Sequence, residues 1–292
     1  MDCIFEVEKQ NNQLKRTSMQ RNKLSYNGQK IFIGIDVHKN LWGVAVVCEG
    51  GFEDYHTQEP SAEKLFEFLQ KHYPDGEYHA VYESGFSGFS TYYSLVELGI
   101  DCMVINAADV PTTQYEHTMK TDQIDARKLA RSLKSGLLRG IYIHSKENID
   151  ARSVVRIRRT IQKQLGGCKS RTKHLLHSNG VTIPERFNKS GSYWSRVFIK
   201  WLQEDVQLLS PTRDSLDLLL EQVSVIRSTL LRANRKVREL SRSQLYRTRY
   251  ELLTSVPGIG LNTAMALLTE VGDFGRFHNE REFASFLGLI PT

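Results

Sequence analysis

The run IFIGIDVHKNLWGVAVV, residues 31–47, constrains the fold more than any other stretch of the chain. Its two apolar halves flank a polar break, which predicts a strand over 31–36, a tight bend, and a second strand over 41–48. A third strand is expected near 51–56. PSAEKLFEFLQKHY then has helical periodicity, with Ser61 placed as its N-cap. EYHAVYE reads as a short strand ending at Glu83, SGFSTYYSLVELG as a helix closed by Gly99, and DCMVIN as the next strand. A hairpin followed by helix–strand alternation predicts an α/β layer fold. Within this run Asp36 ends an apolar strand, where a carboxylate is costly unless something pairs with it. A turn cap, a salt bridge and a metal ion would each serve.

From Lys120 the composition changes. KTDQIDARKLARSLKSG predicts a short helix stopped by Gly136, and a long basic helix follows. Residues 120–173 hold fifteen Lys and Arg against four Asp and Glu, a net of +11. Such a run can be simply a solvated face, but a one-signed, sustained bias favours a phosphate backbone as partner. Trp194, Phe198 and Trp201 are expected to pack in a core rather than stack on bases. Pro211 starts a further helix, and the absence of Pro and Gly from Arg213 to Arg249 predicts one long helix, striped by Leu216, Leu219, Leu220, Val223, Ile226, Leu230 and Leu231. That stripe is expected to pair as a coiled coil that links domains or joins protomers. The expected divisions are a flexible leader over 1–29, an α/β domain with a basic helical extension over 30–180, a helical linker or coiled coil over 181–249, and a partial C-terminal domain over 250–292.

The chain has 292 residues and a formal charge of +6, which favours a polyanionic partner. Its four cysteines, Cys3, Cys48, Cys102 and Cys168, lack C-x-x-C spacing, so neither a zinc knuckle nor a redox dithiol is indicated. They read as reduced thiols of a cytoplasmic protein. No apolar run approaches the roughly 20 residues that cross a bilayer, and no secretory signal is evident.

Four acids form the candidate centre. Asp122 and Asp125 are three apart in a helix whose stripe continues through Leu129 and Leu133, so both lie at the start of the inward face. Acids are also ordinary in a first helical turn, and Thr121 can cap it. Glu83, like Asp36, ends a strand, where a turn acceptor or salt-bridge partner is the ordinary reading. If both strand ends emerge at one sheet edge and the helix covers it, four carboxylates converge. Their repulsion raises some of their pKa values and is relieved by hard divalent cations, with Mg²⁺, as one ion or two, the expectation. Such ions activate a nucleophile and stabilise a leaving oxygen in phosphodiester chemistry. His38 can orient a ligand or stabilise the turn. Lys39 can meet a phosphate or remain a surface lysine.

At these residues the chain resembles a family. IGIDVHKNLWGVAVV, YESGFSGFSTYYSLVELGIDCMVINAADVP and KTDQIDARKLARSLKSGLLRGIYIH are similar to the N-terminal domain of IS110-type transposases, which resembles the RuvC Holliday-junction resolvases. The resemblance implies an RNase H-like, mixed-sheet domain, with the family's D-E-D-D set on Asp36, Glu83, Asp122 and Asp125 as catalytic and metal-binding residues. It implies action on element ends and target DNA, guidance in some members by a structured RNA, and a dimer or tetramer. Lys39, Lys120, Arg127, Arg156, Arg158 and Arg159 are the candidate nucleic-acid contacts.

The final block, LLTSVPGIGLNTAMALLTEVGDFGRFHNEREFASFLGLIPT, resembles the C-terminal domain of the same family. VPGIG between apolar helices reads as a helix–hairpin–helix turn, in which Gly258 and Gly260 free backbone amides for a DNA phosphate. A plain α-hairpin without a ligand is the alternative. In the family a serine within an S-G step follows GLxP by a few residues and is the proposed nucleophile. Here the sequence reaches GLIPT at 292, and neither Ser255 nor Ser285 matches that position. The expectation is a transposase or recombinase chain that stops before its nucleophilic serine. The alternatives are a Mg²⁺-dependent, structure-selective nuclease, which needs only the four acids, and an inactive nucleic-acid-binding remnant. A sugar kinase or other actin-like ATPase also opens on such a hairpin, but no second phosphate-binding hairpin is present.

Overall fold

A computed structural model describes residues 25–110, 121–188 and 191–290. Lys120 and most of the expected leader, up to residue 24, lie outside the described residues. The chain divides into two compact units, Met1–Ile143 and His144–Thr292.

The first unit is built on a five-stranded sheet: β1 (Lys30–Val37), β2 (Trp42–Cys48), β3 (Glu53–Gln58), β4 (Glu77–Glu83) and β5 (Asp101–Ile105). Its helices are α1 (Ala62–His72), α2 (Ser90–Glu97) and α3 (Asp122–Lys134). The strand order is β3-β2-β1-β4-β5. β2 runs antiparallel to both β1 and β3, whereas β1, β4 and β5 are mutually parallel. This mixed sheet is the RNase H-like arrangement expected from the sequence.

Alternation assigns the two faces. Ile31, Ile33, Ile35, Val44, Val46, Ala80 and Tyr82 pack with Leu65 and Leu69 of α1 and Leu95 of α2. The intervening residues face α3: Ala45 and Val47 meet Ala126 and Ala130, and Val81 meets Leu129. The caps follow the local chemistry. The Ser61 side chain accepts from the Lys64 amide, and that of Thr121 accepts from the Ile124 amide. Gly99 and Gly136 follow the ends of α2 and α3 with φ of 81° and 67°, a region glycine enters without steric cost.

The second unit is helical: α4 (Lys146–Ser178), α5 (Arg196–Glu204), α6 (Ser210–Ser241), α7 (Arg247–Thr254), α8 (Leu261–Val271) and α9 (Glu280–Phe286). α6 lies antiparallel along α4. Leu176 packs with Leu216 and Leu220, Leu165 and Cys168 with Val223, and Val155 with Val237. Most of the apolar stripe of α6 therefore packs within the same unit, while Leu231 is 61% exposed. Periodicity specifies an apolar seam but not what fills it. Phe198 and Trp201 are buried against Phe187, with Trp194 packed at the edge, as core residues.

The single helix expected over 213–249 is broken between α6 and α7. Ser241 and Ser243 turn their hydroxyls onto the carbonyls of Arg238 and Leu240, an alternative to continued helix that serine offers. Tyr246 then anchors the turn: it is buried, and its hydroxyl accepts from the Asn148 side-chain amide at 3.0 Å. Cys48, Cys102 and Cys168 are free, buried thiols. Among the described residues no helix is long and apolar enough to cross a membrane.

Candidate active site

Three segments of the first unit build the site. β1 and β4 run parallel, and the pairing of Ile35 with Tyr82 leaves Asp36 and Glu83 as the next residue of each strand, side by side. Counting back through the alternation, Asp36 shares its face with Gly34, and Glu83 shares its face with Val81. This is the face that α3 covers. α3 begins at Asp122, so its first turn, with Asp122 and Asp125, lies over those strand ends.

The approach of α3 depends on glycines. A Cβ built on Gly34 would fall 2.1 Å from the Ala126 carbonyl oxygen, a distance real structures do not allow. A Cβ on Gly43, which pairs with Asp36 across the hairpin, would meet the Tyr55 hydroxyl at 3.1 Å and the Asp122 Cβ at 3.6 Å. Isolated glycines within strands mark such close approaches.

The result is a cleft of about 400 Å³ lined by all four acids, Asp36, Glu83, Asp122 and Asp125, together with His38 and Ser84. His38 Nε2 lies 3.0 Å from Asp36 Oδ2 and 3.8 Å from Asp122 Oδ1. Burial pushes the Asp36 carboxyl above its ordinary pKa, and the charges of Asp122 and Asp125 push the same way, while His38 pulls it back. The Tyr55 phenol beside them is also pushed up, first by burial and then by Asp122 and Asp36. A low-dielectric carboxylate repelled by its neighbours is stabilised by a cation. Asp36, His38 and Asp122 each offer one ligand atom, all within 4.8 Å of one another, so the donor set fits a divalent cation.

The other sequence candidates are differently placed. Lys39 is exposed in the turn after β1. Arg127 stands over the Tyr55 ring, with its guanidinium carbon 6.0 Å from the centroid. In the second unit Arg156 donates to both carboxylate oxygens of Glu270 at 2.7 Å, and Arg158 Nε donates to Asn234 Oδ1 at 2.9 Å. Arg159 is exposed. Gly258 has φ of 91° in the turn between α7 and α8, and Gly260 caps α8. Sequence reasoning named the four acids and left His38 open. It missed Gly34, Gly43 and Tyr55; a glycine interrupting each of the two best strands was the available signal.

Two family models match the chain. One described as a transposase, the DEDD domain of IS110-type elements, covers residues 33–179, and one described as the transposase IS116/IS110/IS902 family covers 250–292. Among similar proteins is the transposase for insertion sequence element IS1533 of Leptospira borgpetersenii, 29% identical over 264 residues, covering 87% of this chain and 73% of that one. The y4qE protein of Sinorhizobium fredii, named as a transposase, is 25% identical across 90% of this chain and 64% of its own length. The transposase for IS1111A of Coxiella burnetii is 22% identical across 68% of this chain and 53% of its own.

Proposed function

The chain belongs to the IS110-type transposase family, and on that premise we propose that Asp36, Glu83, Asp122 and Asp125 form the acidic half of its DNA-recombining centre, acting on phosphodiesters with Mg²⁺. One observation carries the reading: acids from two strand ends and one helix start, up to 89 positions apart in sequence, line a single cleft. Asp36 among them is partly buried, and burial together with the charges of Asp122 and Asp125 disfavours its ionised form, a cost that a bound cation would offset.

In this reading Asp36 and Asp122 would hold the metal, with Glu83 and Asp125 completing the donor set for one or two ions. A bound ion would supply Lewis acidity toward a phosphodiester oxygen and toward the attacking group. The chain's own residues position. Asp36 and Glu83 are fixed by the parallel ladder, and Asp122 and Asp125 by the first turn of a helix seated on that ladder. Exposed Lys39, two residues past the strand end, is placed to meet a phosphate of the bound strand.

Family membership implies DNA binding. The reading extends to element ends and target DNA held by backbone contacts. Arg159 on α4 and the amides around Gly258 and Gly260 are candidates, supported by the net +11 of residues 120–173. A structured guide RNA would use the same phosphate chemistry. Exchange of strands between two duplexes makes a dimer or tetramer part of the proposal.

The test separates chemistry from binding. D36N, E83Q, D122N and D125N are compared with the unaltered chain for Mg²⁺-dependent nicking or joining of element-end DNA, and for DNA binding in Ca²⁺. Chemistry should fall at least about tenfold in each, the loss typical even for groups that only support a metal ligand, with binding retained. Unchanged nicking or joining by D36N and E83Q would reject the centre.

A further inference from the structure

The inference rests on the acidic centre proposed above and concerns a residue outside its four acids. We propose that His38 is an inner-sphere ligand of that centre's cation, which makes this metal site one of mixed nitrogen and oxygen donors that prefers Mn²⁺ to Mg²⁺.

The geometry begins in the backbone. β1 stays extended through Val37, so His38 is two residues beyond Asp36 and projects on the same side. That side is the one α3 covers, and there the imidazole stands between the two carboxylates. One nitrogen, Nε2, faces both: Asp36 Oδ2 at 3.0 Å and Asp122 Oδ1 at 3.8 Å. Ligands about 2.1–2.2 Å from a common ion lie roughly 3.0 Å apart when adjacent and 4.3 Å when opposite. The Asp36 separation matches that of adjacent ligands, the Asp122 separation lies between the two values, and all three donor atoms lie within 4.8 Å of one another. Its Nε2 is directed at the two acids and lies within hydrogen-bond distance of Asp36.

Gly43 keeps the space open. Its pairing with Asp36 puts it under the same corner of the cleft, where an added Cβ would crowd the Tyr55 hydroxyl at 3.1 Å and touch Asp122 at 3.6 Å. The consequence is chemical. Mg²⁺ favours all-oxygen ligation and retains water, whereas first-row transition ions accept imidazole readily. A centre of Asp36, His38 and Asp122 therefore ranks Mn²⁺ above Mg²⁺ more strongly than one made of carboxylates alone.

The experiment uses the full chain and Mn²⁺ as the probe. Free Mn²⁺ is titrated by its electron paramagnetic resonance signal, Mg²⁺ is used as competitor, and the bound ion is examined for hyperfine coupling to ¹⁴N. The unaltered chain should show a coupled histidine nitrogen. H38A should lose that coupling and bind Mn²⁺ about tenfold more weakly, with Mg²⁺ affinity changed less. D36N should weaken both ions. Mn²⁺ that binds without nitrogen coupling, or an unchanged Mn²⁺ to Mg²⁺ ratio in H38A, would overturn the role of His38 and leave the acidic centre standing. A chain that binds neither ion up to millimolar concentrations would remove the acidic centre and this inference with it.

Discussion

Gly34 of β1 lies directly under Ala126 of α3: a side chain's first carbon at Gly34 would sit 2.1 Å from the Ala126 carbonyl oxygen and 2.5 Å from the Ala130 amide nitrogen. Both neighbours are backbone and cannot swing aside. The helix rests on the sheet at this point, and its first turn carries Asp122 and Asp125. The contact that seats the helix thus also sets the distance between the helix acids and Asp36.

Gly34→Ala should therefore damage stability and site together. Overpacking of this kind costs about 1–3 kcal/mol, and relief by lifting α3 would carry Asp122 away from Asp36. A urea midpoint and an Mn²⁺ titration check the two effects. Gly50→Ala is the control, because a Cβ there meets nothing within 4 Å. Equal behaviour of the two variants would show that α3 is not held at Gly34.

Asp36→Asn should separate stability from function. Burial and the repulsion of Asp122 and Asp125 hold the Asp36 pKa up, so its charged form is disfavoured by folding. Removing that charge should leave the metal-free protein as stable as before or slightly more so at neutral pH. The same change should abolish the rise in melting temperature produced by divalent cations. A clear fall in metal-free stability would mean that Asp36 is a structural anchor rather than a strained functional group.

Much of this site was legible because its signals are local. Strand endings located Asp36 and Glu83, and i,i+3 spacing in a helix start located Asp122 and Asp125. The strand expected over 31–36 is observed as Lys30–Val37, and the third strand lies at Glu53–Gln58 rather than 51–56. What escaped was the pairing of distant segments. Nothing within the α6 stripe says that α4 fills it, and nothing near Arg156 says that Glu270, 114 residues away, accepts from it. The break at Ser241–Tyr246 escaped for the same reason: the turn is anchored by a hydrogen bond to Asn148, in a different helix.

Glu270 gives the second unit a defined acid response. Hydrogen bonds from Arg156 and Arg152, opposed in part by burial, lower its pKa from 4.5 to about 2. A carboxylate depressed on folding adds stability that is complete above its unfolded pKa and is lost as pH falls toward the folded one. The contribution should be intact above about pH 5, shrink through pH 4 and 3, and be nearly gone at pH 2. The partial exposure of the group limits it to about 1 kcal/mol. Urea midpoints of the unaltered chain and E270Q should differ at pH 6 and converge as pH falls through that window. A gap independent of pH would mean that charge is not what the glutamate contributes.

Arg156, Arg158 and Arg159 fall within one turn of α4, and at about 100° per residue Arg158 stands about 200° round the helix from Arg156, so no single surface can use all three. Arg156 is held by Glu270 and Arg158 by Asn234, while Arg159 is exposed. R159A should therefore weaken binding to DNA or structured RNA uniformly across sequences and lower the slope of log affinity against log salt by about one, without moving the unfolding midpoint. R156A should do the reverse: it removes one of two arginines from Glu270 and should cost up to about 1 kcal/mol of stability, with little change in salt slope. Binding measured across a range of NaCl concentrations, paired with urea unfolding of each variant, distinguishes the two residues. A large loss of salt-dependent binding in R156A with unchanged stability would mean that its pair with Glu270 gives way to phosphate when nucleic acid is bound.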